Sequence, residues 1–88
     1  MVRRRVIVHG RVQGVFFRDT VRRRAEQLEV AGAVSNRDDG TVEAVFEGED
    51  EDVAVLVDLC RRGPERAEVE RIEVFEEEPA GDKRFRVR

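Results

Sequence analysis

Val6-Ile7-Val8-His9-Gly10-Arg11-Val12-Gln13-Gly14-Val15-Phe16-Phe17-Arg18 joins two kinds of hydrophobic pattern. Residues 3–9 alternate as a strand does, with Val6 and Val8 on one face and Ile7 and His9 on the other. Beyond the second glycine, apolar residues recur at Phe17, Val21, Ala25 and Leu28, the stripe of an amphipathic helix from about Phe17 to Val30. The stretch reads as strand, glycine-bounded loop and helix. Such a junction aims several backbone N–H groups and the positive end of a helix dipole at one spot. Gly10 and Gly14 permit a positive φ or an approach to a ligand with no Cβ in the way. Arg18 adds a forked cation whose donors match phosphate oxygens. On these grounds the loop is an oxyanion cradle suited to phosphate.

The remaining pattern completes a small α+β unit. Gly32 closes the connection after the helix, and Ala33-Val34-Ser35-Asn36 begins a second strand. Arg37-Asp38-Asp39-Gly40 is a turn signalled by Asp-Gly. From Thr41 to Glu47 a third strand turns Val42, Ala44 and Phe46 inward and Thr41, Glu43, Val45 and Glu47 outward, forming an antiparallel hairpin with the second. Glu49-Asp50-Glu51-Asp52 supplies acidic residues for the start of a second helix. Val53, Leu56, Val57 and Cys60 are its buried stripe, and Gly63-Pro64 stop it. The set Val69, Ile72, Val74 changes phase once, so the fourth strand is expected to begin near Glu70. Phe85 and Val87 alternate in a short last strand. The order β-α-β-β-α-β with a short C-terminal strand predicts a ferredoxin-like two-layer sandwich, a mainly antiparallel sheet with two helices on one face. Parallel central strands joined through right-handed crossovers give the strand order 4-1-3-2. Residues 1–88 are expected to form one domain.

Composition narrows the function. Charged residues make up 42% of the 88-residue chain, against about 25% in an ordinary domain, so nearly every apolar position is needed inside. The net charge of −3 argues against a general nucleic-acid binder, and the clusters Arg3-Arg4-Arg5 and Arg22-Arg23-Arg24 read as solvated faces. Cys60 is the only cysteine, which excludes an internal disulfide and a thiolate metal cluster. Its apolar helical position suits a buried, inert thiol. No apolar segment reaches membrane length and no hydrophobic signal region opens the chain, so no membrane partner and a cytoplasmic address are expected. His9, the only histidine, lies opposite the core face with no catalytic partner in sight, and Asp19 reads as a helix-start carboxylate.

The fold itself names no function. There is no nucleophile paired with a histidine, no Cys-x-x-Cys, and no aromatic platform for RNA. An oxyanion loop, Arg18 and the amide of Asn36 remain. By itself Asn36 reads first as a turn residue, favoured for local hydrogen bonding.

Gly10-x-Val12-Gln13-Gly14-Val15-x-Phe17-Arg18 closely resembles the first signature of acylphosphatases. Gly32-x-Val34-x-Asn36-x-x-x-Gly40-x-Val42-x-x-x-x-x-Gly48 is similar to the second. The resemblance extends over essentially the whole chain, including Gly63-Pro64 and Phe85. Two departures stand out: Ala33 where the family commonly has an aromatic residue, and Ser35 where it often has a basic one. The resemblance implies a hydrolase that splits small acyl phosphates into carboxylate and inorganic phosphate, without metal or cofactor. It assigns phosphate binding to Arg18 and to the amides of Gln13, Gly14, Val15, Phe16, Phe17 and Arg18. To Asn36 it gives the positioning of the attacking water. A monomer is expected. Two other readings stay open here. One is a non-catalytic module binding phosphate or a carbamoyl-phosphate-like ligand, as occurs inside larger maturation proteins. The other is a nucleic-acid or partner-binding module using the arginine clusters. A chain of this length opening on Met1 favours the enzyme.

Overall fold

A computed structural model describes residues 1–88. Its elements are β1 (Val2–Arg11), α1 (Phe17–Gln27), β2 (Ala31–Asn36), β3 (Val42–Gly48), α2 (Asp50–Arg62), β4 (Glu68–Glu77) and β5 (Phe85–Val87). The sheet order is β4-β1-β3-β2-β5, so the expected 4-1-3-2 core is present and β5 extends it beyond β2. The central neighbours β1 and β3 are antiparallel, with Val6 opposite Ala44. This corrects the expectation of parallel central strands. Each crossover helix returns the chain parallel to its starting strand, but a third strand always lies between the two. The one parallel contact between neighbours is β2 with β5, pairing Gly32 with Phe85 and Val34 with Val87.

The core lies between the helices and one sheet face. Val6 and Val8 of β1, Val34 of β2 and Val42, Ala44 and Phe46 of β3 are fully buried there. They meet Phe17, Val21 and Ala25 of α1 and Val53, Leu56 and Cys60 of α2. Phe85 closes the β5 side by stacking on Phe46, with ring centroids 5.9 Å apart. Each large apolar side chain buried in this way contributes about 1.5–3 kcal/mol.

Several boundaries differ from the sequence pattern for local reasons. α1 stops at Gln27, because Glu29 turns left-handed (φ 57°) and the N–H of Val30 reaches back to the oxygen of Ala25 at 2.9 Å. Gly32 lies inside β2 instead of closing the connection before it. A Cβ there would sit 1.8 Å from the oxygen of Val45, so only glycine lets the two strands approach. β4 begins at Glu68, and the phase change that delayed its expected start is a bulge. The register passes from His9 opposite Arg71 to Gly10 opposite Val69, leaving Glu70 as the extra residue.

Two side chains expected to face outward are buried. Thr41 precedes β3, and its hydroxyl donates to Oδ1 of Asp39 at 2.6 Å. Glu47 is only 4% exposed on the face away from the helices. Its Oε1 accepts from Arg3 Nη1 at 2.9 Å and from the N–H of Ala80 at 2.7 Å, while Oε2 accepts from the N–H of Gly81 at 2.9 Å. A buried carboxylate is tolerated because three donors replace its water. Glu47 thereby ties the β4–β5 connection to the sheet.

Candidate active site

The β1–α1 loop is held at its start by the bulge. Gly10 has φ 130°, and a Cβ there would lie 2.1 Å from the oxygen of Glu68. Its missing side chain therefore serves contact with β4, not the approach of a ligand to the loop. Further on, Gly14 (φ 73°) and Phe16 (φ 63°) both take left-handed conformations. Phe16 is the N-cap of α1, where a hydrogen-bonding side chain is usual, and it makes no side-chain cap. Its main-chain oxygen instead accepts from the N–H and hydroxyl of Thr20, at 3.0 and 2.9 Å.

This geometry leaves the donors open. The N–H groups of Gln13, Gly14, Val15 and Phe16 donate to no backbone acceptor. Those of Phe17, Arg18 and Asp19 belong to the first turn, which has no intrahelical acceptors. A run of free N–H groups at the positive end of a helix is an anion site in its own right. A non-glycine left-handed residue at that position stores of order 1–3 kcal/mol of strain, as is common where backbone groups must face a ligand.

Arg18 and Asn36 border the same cleft of about 520 Å³. Asn36 arrives there because it pairs with Val42, whose side chain is in the core, so both point to the helix face at the end of β2. The side chain of Asn36 is exposed and forms no hydrogen bond within the chain. The turn after it is tied by other groups. Asp39 accepts from the N–H of Thr41 at 3.0 Å, and Gln13 Nε2 donates to the oxygens of Arg37 and Thr41 at 2.8 and 2.9 Å.

Of the loop residues named from sequence, Gly14, Phe16, Phe17 and Arg18 border the cleft, while Gln13 and Val15 border a separate depression beside Arg66. Gln13 and Val15 do not line the cleft itself, and Gln13 bears on it through its grip on the turn after Asn36. Phe17 is buried in the core and Phe16 is 70% exposed at the cleft rim.

Sequence reasoning missed the contribution of the C-terminal strand. Val87 lines the cleft, and Arg18 Nη1 donates to the main-chain oxygen of Arg88 at 3.0 Å. The Phe85-x-Val87 alternation signals a strand, but nothing local says that β2 is its partner. Asp19 and Arg22 also border the cleft. Arg22 holds Asp19 at 2.7 Å, and that hydrogen bond, with the charge of Arg23 nearby, keeps the carboxyl below its ordinary range. His9 is spent elsewhere, with Nε2 2.6 Å from Glu73 Oε1 on the opposite sheet face. The arginine clusters are mostly engaged by carboxylates: Arg3 with Glu47, Glu77 and Asp82, Arg4 with Glu76, Arg5 with Glu43 and Glu77, and Arg22 and Arg23 with Asp19, while Arg24 donates to Gln27 Oε1 at 3.1 Å.

The acylphosphatase family model matches residues 4–87. The chain belongs to the acylphosphatase family. It is 60% identical over 86 residues to an acylphosphatase of Rubrobacter xylanophilus, covering 96% of this chain and 77% of that one. It is 54% identical to an acylphosphatase of Haloarcula marismortui, covering 98% of this chain and 94% of the relative. The crystal structure of acylphosphatase from Bacillus subtilis superimposes with a TM-score of 0.93 at 40% identity, covering 99% and 98% of the two chains. The two stretches that resemble the family's signatures lie on the loop and the strand end that border the cleft.

Proposed function

We propose that this chain is an acylphosphatase that hydrolyses small acyl phosphates to a carboxylate and inorganic phosphate, using Arg18 and Asn36 in distinct roles. The observation that carries the reading is the convergence of free loop amides, the Arg18 guanidinium and the unengaged amide of Asn36 on one cleft.

The N–H groups from Gln13 to Arg18 and the guanidinium hold the phosphoryl oxygens, so the charge spread over the equatorial oxygens in the transition state meets fixed donors. Asn36 holds a water for in-line attack on phosphorus. The P–O bond to water forms as the bond to the acyl oxygen breaks, and the carboxylate leaves with the electron pair. The water's protons remain with phosphate or pass to solvent. A carboxylate leaves without a strong general acid, so positioning and charge stabilisation suffice. Metal and cofactor have no part in this scheme, since Arg18 and the helix terminus supply the positive charge. The same reading has the enzyme act as a cytoplasmic monomer without nucleic acid; no helix is long and apolar enough to cross a membrane.

The test is release of inorganic phosphate from a simple aryl acyl phosphate after exhaustive chelation. Sustained turnover supports the proposal. No release, or release restored only by adding one divalent metal, overturns it.

A further inference from the structure

Ion pairs occupy the arginines of β1, and Arg22 and Arg23 of α1, but not the basic residues at the end of the chain. Lys83, Arg84, Arg86 and Arg88 are all exposed, and none contacts a carboxylate. All four border one groove of about 500 Å³, floored by Gly32, Ala33 and Val45. Phe85 enters the core and Val87 the catalytic cleft, so strand alternation turns Arg84, Arg86 and Arg88 to the other sheet face. Successive arginines on that face are spaced by two residues, about 6.6 Å. The main chain beneath them is fixed, because the N–H of Gly32 donates to the oxygen of Arg84 at 3.1 Å and Arg86 pairs with Ala33. Asp82 is the one side-chain carboxylate bordering the groove, and Arg3 Nη1 engages it at 2.8 Å. Three arginines along one strand face, with Lys83 beside them, therefore stand without a side-chain carboxylate partner in a chain whose net charge is −3.

We propose that this groove binds an oligophosphate, a linear chain of three or more linked phosphates, at a site separate from the catalytic cleft. The guanidinium fork matches phosphate oxygens, and a row of such forks favours an anion extended along the strand over a single phosphate. A nucleic-acid strand fits less well, because the floor offers no aromatic ring on which bases can stack. The groove and the cleft open on opposite faces of the sheet and adjoin only at Val87 and Arg88.

The test is a backbone-amide NMR titration of the full chain with sodium tripolyphosphate, repeated with Arg84→Gln/Arg86→Gln. Neither residue belongs to the catalytic machinery, so phosphate release from an acyl phosphate reports that the double variant is folded. The expected result is saturable shifts at residues 82–88, Ala33 and Val45, with affinity falling at least roughly tenfold in the variant as two charge-assisted contacts are lost. A parallel titration with ATP separates the sources of the shared chemistry. Binding through the same arginines that is tighter for ATP points to a nucleotide, and tighter binding of tripolyphosphate points to an inorganic chain. The proposal is overturned by shifts confined to residues 13–18, by unchanged affinity in the variant, or by a single-stranded oligonucleotide that binds the same arginines more tightly than either phosphate chain.

Discussion

The side-chain amide of Gln13 donates to the main-chain oxygen of Arg37 at 2.8 Å. Gln13 belongs to the β1–α1 loop and Arg37 follows Asn36, so this bond ties the two segments that border the cleft across 24 residues of sequence. A second bond from the same nitrogen to Thr41, at 2.9 Å, closes the clamp over the β2–β3 turn.

Removing that clamp should separate the halves without deleting a group that meets substrate. Gln13→Ala is expected to lower kcat by roughly tenfold, as small misplacement of a positioned group does, with a smaller change in KM. Two lost hydrogen bonds should cost about 1–3 kcal/mol of stability. Steady-state kinetics and urea unfolding check both. Wild-type kcat in the folded variant would show that the turn holds Asn36 in place unaided.

Arg18→Lys should damage binding and turnover together. Lysine keeps the charge but loses the planar fork, with which Arg18 can hold the Arg88 oxygen while other donors face phosphate. KM should rise, kcat should fall, and competitive inhibition by inorganic phosphate should weaken. Unchanged phosphate inhibition would remove Arg18 from the phosphate site.

Asn36→Ala should behave differently, because the hypothesised partner of Asn36 is water. A kcat lower by roughly 10²-fold or more is expected, the scale of losing one positioned polar group, with KM and phosphate inhibition little changed. Stability should stay within about 0.5 kcal/mol, as for a surface substitution that breaks no contact, since the side chain bonds nothing in the chain. Wild-type turnover in the folded variant would end the water-positioning role.

Glu47 should mark the acid limit of stability. Its hydrogen bonds from Ala80, Arg3 and Gly81 hold the folded pKa below the ordinary carboxylate value of 4.5. A depressed folded pKa means the unfolded state binds the proton first, so the stabilisation is complete above the unfolded pKa and is lost as pH falls through the folded one. Glu47→Gln should therefore flatten the fall in stability below about pH 4.5, measured by urea unfolding across pH 3–6. An acid limb as steep as wild type would assign it to Asp19, Asp39, Glu73 and Glu77, whose pKa values are also depressed.

Cys60 should be inert while the chain is folded. Burial without a charged partner pushes its thiol up to about 12, so almost no thiolate exists at neutral pH. Alkylation should proceed only through unfolding, and its rate should follow denaturant concentration. Fast alkylation of the native protein would place Cys60 outside the core.

Sequence by itself determined the element order, the helix-face core and the loop–helix junction at Arg18. Alternation in β1 and β3 and the 3.6-residue stripes of α1 and α2 are local signals that mark most of the core, although Val57 and Leu28 from those stripes are only partly buried. Arg18 also stands out from the loop–helix junction, whereas Asn36 by itself reads as a turn residue and is singled out only by the resemblance to the family; the structure brings both to one cleft. Tertiary structure alone decided where β5 goes, and with it the presence of Val87 and the Arg88 oxygen at the cleft. Three residues carry no signal for a partner strand; β2 is chosen because Phe85 finds the face of Phe46. The burial of Glu47 was equally illegible, since a glutamate in an alternating strand reads as solvent-facing until amides brought from residues 80 and 81 take the place of its water. The bulge at Gly10 follows the same logic: it answers the backbone of Glu68, which lies 58 residues away in the chain and beside it only after folding.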